Sequence, residues 1–310
     1  MIPAEAPRRA KRAAEPGTAP KAVVAGAWVP GRAEPSHRAE MVTQWLCGEI
    51  LERVEAGDRP SGWLRCRGAD GYEAWVAGGG LLGVTEAEAR RWAKNATALS
   101  LGTSLVPGET EGAIEPPRHL PWGCRVELRE DGALHLPGGV RARPADPDAI
   151  VSDRDRALRF PTRGEAVVSS GLRWLGAPYL WGGRTEWGVD CSGFVQAIFR
   201  LHGVELPRDS APQASAAPKL EAEVDAEGAE WLEPADLLFF TPEGKGITHV
   251  AVWAGNGRIV HAAAANGCVA LNAWGGSRPV ERLLRDSLAI VTRPLARVTP
   301  GGATGGTFQP

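Results

Sequence analysis

Apolar and polar residues nearly alternate in several short runs within the first quarter of the chain. Gly, Pro and Asp residues separate these runs, as they commonly separate short strands. Small β-barrels are built from strands of this kind. The pattern therefore predicts a first small barrel over residues 21–84. The runs are KAVVAGAWV (21–29), EILERVEA (49–56), GWLRCRG (62–68) and GYEAWVA (71–77).

The next stretch changes from a helical to a β pattern. Residues 85–99 (TEAEARRWAKNATAL) read as a helical piece, and residues 123–131 and 132–140 return to strand-like runs. Asp131-Gly132 at their junction is a hairpin signal, because Gly tolerates the positive φ of a tight turn. We therefore predict a second small β-barrel over 85–148.

Helices precede strands in the rest of the chain. Residues 165–176 and 191–202 carry apolar residues at helical spacing, and Gly203 ends the second helix. Helices followed by strands, without alternation, predict an α+β domain rather than a doubly wound sheet. We place this domain at 164–297, after a linker over 149–163. The strand-like runs are ADLLFFT (235–241), THVAVWAG (248–255), GRIVHAAA (257–264) and CVALNAW (268–274).

Composition narrows the possible functions. The 310-residue chain is 43% hydrophobic and 23% charged, with a formal net charge of −2. That balance disfavours general electrostatic binding of nucleic acid, which needs a basic surface. The five cysteines are scattered, and none form a Cys-x-x-Cys pair. The sequence thus suggests neither a disulfide framework nor a metal site, and no cofactor is indicated.

The two ends are predicted to lack a packed structure. Residues 1–20 are rich in Ala, Pro and charge, and 298–310 read as a flexible tail. The N-terminus has no apolar run typical of a secretory signal, and no stretch approaches 18 apolar residues. We therefore expect a cytoplasmic protein that does not span or bind a membrane.

Cys191 is the candidate nucleophile. It lies at the start of the predicted helix over 191–202. The unpaired N–H groups and the positive end of the helix dipole at that position favour a thiolate, so we expect a lowered pKa. The plain alternative is a small buried cysteine without a chemical role, because free cysteines are often buried.

His249 and His261 lie in consecutive strand-like runs, and Gly-Asn-Gly over 255–257 favours a hairpin between them. A three-residue loop would pair Ala251 with His261 and place both histidines on one face, roughly 7–8 Å apart between Cα atoms. A two-residue loop would place them on opposite faces. With Cys191, one imidazole can shuttle the proton while the other fixes its tautomer. We assign His249 as base and His261 as orienter, although spacing alone leaves these roles interchangeable, and a buried pair bonded to backbone is the alternative.

The C-terminal half resembles the NlpC-type cell-wall cysteine peptidases, which have a papain-like α+β fold. The resemblance implies a Cys/His/His triad of Cys191, His249 and His261, with Tyr179 near the attacked carbonyl. It covers about 164–296. The matching blocks are LGAPYLWGG (175–183), DCSGFV (190–195), LPRDS (206–210), ADLLFF (235–240), HVAVW (249–253) and GNGRIVHA (255–262).

The N-terminal half resembles two tandem bacterial Src-homology-3-like barrels. AEMVTQ (39–44), GWL (62–64) and DGYEAWV (70–76) carry the match in the first. The three-part layout is similar to γ-D-glutamyl-L-diamino acid endopeptidases, in which the first barrel closes one end of the cleft and selects peptides with a free N-terminal L-Ala. This implies an ammonium site of Glu40, Tyr72 and Asp209. Ser210, Ser192 and Trp181 would line the pocket.

The resemblance implies hydrolysis of the γ-D-Glu–L-diamino acid bond in a murein tripeptide, as a step of cell-wall peptide recycling. Three alternatives stay open: a secreted wall hydrolase tethered by its barrels, a binding protein with an inactive peptidase fold, and an acyl or amide transferase. Glu40 as a solvated barrel residue and Tyr72 as barrel core are the plainer readings of those two positions. The loop over 211–231 matches no motif of the family, which leaves the leaving-group side of the specificity open.

Overall fold

The computed structural model describes residues 19–54, 62–110, 117–220 and 230–297. The predicted N-terminal tail lies outside these residues except for its last two positions, and the predicted tail over 298–310 lies outside them entirely. In the described part of the chain, no helix has the length and apolarity needed to cross a membrane.

The first barrel is an antiparallel sheet of seven short strands in the order β3-β2-β6-β5-β4-β1-β7. The predicted alternation is present: in β5, Leu64 and Cys66 point into the core while their neighbours are half-buried. The strands are β1 (Lys21–Val24), β2 (Trp28–Arg32), β3 (Met41–Leu46), β4 (Ile50–Arg53), β5 (Trp63–Arg67), β6 (Glu73–Ala77) and β7 (Leu81–Val84).

The second barrel follows helix α1 (Glu86–Asn95), which begins at a capping box formed by Thr85 and Glu88. The order β11-β10-β9-β8-β12, with a further pairing of β11 to β8, closes the sheet on itself. Gly132, at the predicted hairpin, has φ of 78°. The strands are β8 (Ala98–Thr110), β9 (His119–Leu128), β10 (Leu134–Leu136), β11 (Val140–Pro144) and β12 (Ile150–Ser152).

The linker predicted over 149–163 requires correction. Its first part is strand β12, which pairs with β8, and its second part is helix α2 (Asp153–Arg159). The Ser152 side chain caps this helix by accepting a hydrogen bond from the N–H of Asp155. Only two apolar residues, Ile150 and Val151, form the buried part of the strand, which is too short to produce a recognisable alternation.

The C-terminal domain places helices before an antiparallel sheet of order β18-β17-β16-β15-β19. Helix α4 buries Phe194, Val195 and Ile198 in the core, as its apolar spacing predicts. The elements are α3 (Gly164–Leu172), β13 (Arg184–Thr185), β14 (Gly188–Val189), α4 (Cys191–Leu201), α5 (Ser210–Ala216), β15 (Leu237–Phe240), β16 (His249–Gly255), β17 (Arg258–Ala263), β18 (Cys268–Ala273), α6 (Pro279–Asp286) and β19 (Leu288–Thr292). Short 3-10 turns lie at Gly78–Gly80, Pro147–Ala149, Ala264–Asn266 and Pro294–Arg297.

The hairpin between β16 and β17 has the register that a three-residue loop would give, but its turn is different. Val252 pairs with Val260, and the same register puts Ala251 opposite His261. The tip of the hairpin nevertheless has two residues rather than three, with Asn256 at φ of 52°. A bulge in β16 beside the tip supplies the extra residue. The bulge preserves the parity that puts the two histidines on one face.

The second barrel and the C-terminal domain share one apolar core. Leu101 and Trp122 of the second barrel are buried in the same cluster as Trp174 and Phe194. The Trp122 and Trp174 rings meet edge to face with 5.6 Å between their centroids. The β13–β14 hairpin also contacts this barrel, because the carboxylate of Glu186 accepts a hydrogen bond from the backbone N–H of Trp122 at 2.9 Å.

Candidate active site

Cys191 is the first residue of helix α4, as predicted, and it is 6% exposed. Asp190 caps the helix by accepting a hydrogen bond from the N–H of Gly193 at 2.7 Å. The Sγ atom of Cys191 lies 3.9 Å from the carbonyl oxygen of Thr248, directly before strand β16. The thiol therefore faces the strand that begins with His249.

The expected lowering of the thiol pKa requires correction. Burial, together with the adjacent carboxylate of Asp190, raises the pKa of Cys191 to about 12. The N–H groups of Val250 and Ser192 act in the opposite direction without reversing the shift. Desolvation of the thiolate therefore outweighs the helix start, and the thiol is protonated in the free protein near neutral pH.

His249 and His261 contact each other directly. Nε2 of His249 lies 2.7 Å from Nδ1 of His261. Burial, reinforced by His261, lowers the pKa of His249 well below its ordinary value. Burial also lowers the pKa of His261 to about 4. Both imidazoles are therefore neutral near pH 7, so one can accept a proton from the thiol.

A buried ion pair supports the helix that carries Cys191. Arg208 is 2% exposed, and its guanidinium donates to both carboxylate oxygens of Asp190 at 3.0 and 2.5 Å. It also donates to the Ser192 hydroxyl at 3.0 Å. Its Nε donates to the Thr43 hydroxyl of the first barrel at 3.1 Å. The first barrel therefore contacts the arginine that pairs with Asp190, the cap of the helix that carries the candidate nucleophile.

A second group of charges joins the first barrel to the C-terminal domain. The carboxylate of Glu49 accepts two hydrogen bonds from Arg184 at 3.0 Å and one from Arg200 at 2.7 Å. Burial opposes ionisation of Glu49, but the two arginines outweigh it and lower its pKa to about 2. Nearby, Gln196 donates to Asp70 at 3.0 Å. These contacts fix the barrel against α4 with buried charge.

Two of the predicted substrate-binding residues lie on the loop that precedes the nucleophile. Tyr179 is half-buried, and burial together with the nearby Cys191 raises its pKa to about 12. Trp181 is 56% exposed. Gly182, with φ of 74°, lies so close to Met41 that an added Cβ would fall 2.4 Å from the Met41 carbonyl oxygen. This contact places Glu40, an exposed residue next to Met41, at the edge of the same loop.

The structure also brings Tyr72 and Asp209 together across the two domains. The Tyr72 hydroxyl donates a hydrogen bond to Asp209, and burial followed by the Asp209 charge raises the pKa of Tyr72 to about 12. Burial raises the pKa of Asp209 as well. Ser210 begins α5 beside them and is buried. The Ser192 hydroxyl points instead to Asp190 and Arg208, so its side chain supports the helix.

Sequence reasoning missed several residues around this site. Arg208 lies inside the matched block LPRDS, but the sequence alone does not indicate that it pairs with Asp190. Asn272, a buried polar residue in an otherwise apolar strand, lies 2.9 Å from Nε2 of His261. A polar residue at a buried strand position was the available signal. Across the described ranges, no three His, Cys, Asp or Glu side chains converge as metal ligands would.

Comparison with known proteins agrees with this geometry. Residues 176–285 match the NlpC/P60 family, and residues 31–81 match the bacterial dipeptidyl-peptidase Sh3 domain. The chain is 38% identical to the probable endopeptidase NlpC of Escherichia coli over 44% of this chain and 80% of that protein. The chain belongs to the NlpC/P60 family. It is accordingly a member of a cysteine peptidase family that acts on peptidoglycan.

Two other matches cover a larger part of this chain. A γ-D-glutamyl-L-lysine dipeptidyl-peptidase of Bacillus cereus is 27% identical over 72% of this chain and 67% of its own length. The crystal structure of an NlpC/P60 family protein from Bacillus cereus superposes with a TM-score of 0.71 at 21% identity, covering 89% of this chain and 99% of that one. The second match shows that the fold extends over the barrels and the peptidase domain together.

Proposed function

We propose that this NlpC/P60 protein hydrolyses the bond between γ-D-Glu and an L-diamino acid in murein peptides that carry a free N-terminal L-Ala. The observation that carries the proposal is the contact between Tyr72 of the first barrel and Asp209 of the C-terminal domain. In the proposal, this contact closes one end of the substrate cleft and supplies groups that can accept hydrogen bonds from an ammonium. The name of the Bacillus cereus relative supports the same bond specificity.

In the proposed reaction, Sγ of Cys191 attacks the γ-carbonyl carbon of D-Glu while its proton passes to His249. The tetrahedral intermediate collapses, His249 returns the proton to the departing amine of the diamino acid, and an acyl-enzyme remains. Water, deprotonated by His249, then attacks the acyl carbon, the C–S bond breaks as the proton on His249 returns to Sγ of Cys191, and the dipeptide is released. His261 holds His249 through their 2.7 Å hydrogen bond. The proposed role of Tyr179, whose phenol is near enough to Cys191 to be affected by its charge, is to donate a hydrogen bond to the carbonyl oxygen.

Recognition of a free N-terminus makes the recycling role testable. An ammonium buried in a cleft must be paired, because an unpaired buried charge costs several kcal/mol. Asp209 and Glu40 are the acids proposed to pair with it, together with the Tyr72 hydroxyl oxygen. Acylation of the peptide removes this charge and adds bulk at the closed end of the cleft.

We expect N-acetyl-L-Ala-γ-D-Glu-diaminopimelate to lose at least about 100-fold in kcat/KM against the free peptide, or roughly 3 kcal/mol. Mass spectrometry of the products measures this, with Cys191→Ala as the inactive control. Glu40→Gln should lower kcat/KM for the free peptide without changing the rate of Cys191 alkylation by iodoacetamide. Efficient cleavage of the acylated peptide or of intact sacculi would replace this proposal with a general wall hydrolase.

A further inference from the structure

The hydrogen bonds of the histidine pair continue beyond His261. Its Nε2 lies 2.9 Å from Oδ1 of Asn272, on the neighbouring strand β18. Both residues are fully buried. Asn266, on the turn between the two strands, directs its Nδ2 to the same amide oxygen at 2.8 Å. Oδ1 of Asn272 is therefore the point on which the polar groups behind His261 converge.

Glu281 determines which way the Asn272 amide points. Nδ2 of Asn272 lies 3.5 Å from Oε1 of Glu281, on helix α6. Hydrogen bonds from Arg278 lower the pKa of Glu281 to about 2, so it is ionised and can only accept. A flipped amide would turn its oxygen toward this carboxylate and its NH2 group toward the donors of His261 and Asn266. The carboxylate therefore keeps the amide oxygen directed at His261.

Glu281 is itself fixed in place. Arg278 donates to its Oε1 at 2.8 and 2.6 Å, and the backbone N–H of Ala273 donates to the same oxygen at 3.2 Å. Gly276 makes room for the carboxylate, because a Cβ at that position would lie 2.1 Å from Oε2. The position of this carboxylate is therefore set by backbone and side-chain contacts together.

These orientations assign the tautomers of both histidines. Because an amide oxygen only accepts, Nε2 of His261 carries its proton and Nδ1 of His261 is the acceptor. Nε2 of His249 must then donate across the 2.7 Å contact. That leaves Nδ1 of His249 as the unprotonated nitrogen. In the alternative, Nδ2 of Asn266 donates to an unprotonated Nε2 of His261, but these two atoms are 3.4 Å apart. The lone pair of that nitrogen would also face a lone pair of Oδ1 of Asn272.

We propose that Asn272 and Glu281 are positioning residues that hold His249 in the Nδ1-accepting tautomer. The inference rests on the proposed role of His249 as the base. Neither residue needs to touch the substrate, so their removal should change kcat and leave KM nearly unchanged. The effect resembles the loss of the orienting group of a catalytic triad, which leaves the base in the wrong tautomer.

The test replaces Asn272 by Leu, which fills a similar volume without an acceptor. In 15N-histidine-labelled protein, two-bond 1H–15N correlations should show the Nε2–H form of His261 in the unmodified chain and a mixed or Nδ1–H form in Asn272→Leu. We expect kcat to fall about 100-fold with KM within twofold. Glu281→Met removes the carboxylate that faces Nδ2 of Asn272, so the Asn272 amide can flip and His261 should again show a mixed form with a lower kcat. Glu281→Gln keeps an oxygen there and should retain the Nε2–H tautomer and most of kcat.

Two controls separate this inference from others. Thr292→Val removes a buried hydroxyl at the far edge of the same sheet and should change neither tautomer nor kcat. If the proposed peptide is not a substrate, the tautomer spectrum and the rate of Cys191 alkylation still test the inference without it. A folded Asn272→Leu protein with the original tautomers would overturn it. If that variant does not fold, the original tautomers in a folded Glu281→Met protein would overturn it.

Discussion

The first barrel meets the C-terminal domain through buried charges, whereas the second barrel meets it through a shared apolar core. Glu49 joins Arg184 and Arg200, and Arg208 joins Asp190. At the second barrel, Leu101 and Trp122 are packed into the same cluster as Trp174 and Phe194. The half-buried carboxylate of Glu186 also lies at this contact, and no cation among the described residues pairs with it. The two contacts should therefore respond differently to substitution and to pH.

This difference in response follows from how apolar packing and buried ion pairs each stabilise the folded protein. Apolar packing is non-directional and tolerates small shifts, because its free energy scales with the area buried. A buried ion pair needs its partners at hydrogen-bonding distance, because each charge has lost its water. One of the charged contacts, between Arg208 and Asp190, lies next to Cys191. The geometry of the first barrel is therefore held most tightly where the chemistry is proposed to occur.

The largest effect is expected from Arg208→Met. This change leaves Asp190 as a buried carboxylate without its cation, which costs about 3–5 kcal/mol of unfolding free energy. Since Asp190 caps the helix of Cys191, kcat should fall as well. Denaturant unfolding and peptide hydrolysis measure the two effects. Thr43→Val, which removes only the barrel's hydroxyl, should cost about 1–2 kcal/mol. Equal losses in both variants would contradict a central role for the ion pair.

The next comparison uses one chemical change at two positions. Glu49→Gln should cost about 3 kcal/mol at pH 7, since the lowered pKa of Glu49 stabilises the fold above its ordinary value of 4.5. This contribution is lost as the pH falls from about 4.5 to 2, so the difference from the unmodified chain should shrink by more than half at pH 3.

Glu186→Gln should behave in the opposite way. Burial raises the pKa of Glu186, so its ionisation costs stability at neutral pH and costs nothing below the ordinary value of 4.5. The amide oxygen of Gln can still accept from the Trp122 N–H. This variant should therefore equal or exceed the unmodified chain at pH 7, and the difference should vanish near pH 4. Unfolding curves at pH 7, 4 and 3 for both variants measure the contrast, and parallel pH profiles would refute it.

The smallest effect on turnover is expected from a variant that tests the apolar contact by itself. Leu101→Ala should cost about 2 kcal/mol, the lower end for a buried leucine, because the residue lies at the margin of the shared core. No charge is involved, so the loss should be the same at pH 7 and pH 4. Turnover should stay within about twofold, because the ion pairs that support Cys191 remain. A large fall in kcat would show that the second barrel also positions the active site.

Much of the fold could be predicted from the sequence, because strand alternation and helical spacing are local signals. Leu64 and Cys66 in β5 show the first, and Phe194 to Ile198 in α4 show the second. The blocks of family-like residues identified the C-terminal domain. The hairpin between the histidines was predicted, but its register was left open between two loop lengths, because a bulge is invisible to a count of residues between two strands.

The remaining features depend on contacts between distant segments. Glu49 and Arg184 are separated by 135 positions, so nothing in either neighbourhood indicates their pairing. The raised pKa of Cys191 likewise depends on burial under β16, whereas the sequence shows only the helix start that opposes it. Asn272 and Glu281 are assigned by a chain of contacts across two strands and a helix. Such arrangements become visible only in three dimensions.

The carboxylate of Glu49 also limits how this protein can be recombined with others. A C-terminal domain moved behind a foreign barrel would bring Arg184 and Arg200 without the carboxylate that bridges them, and only Arg200 would keep an acidic partner, the exposed Glu205 at 3.6 Å. A working chimera would need an acid at the equivalent point of the new barrel, or neutral replacements for both arginines. The smallest portion suited to exchange as a unit therefore includes the whole first barrel, from β1 onward. A boundary drawn at residue 164 would separate Glu49 from Arg184 and Arg200.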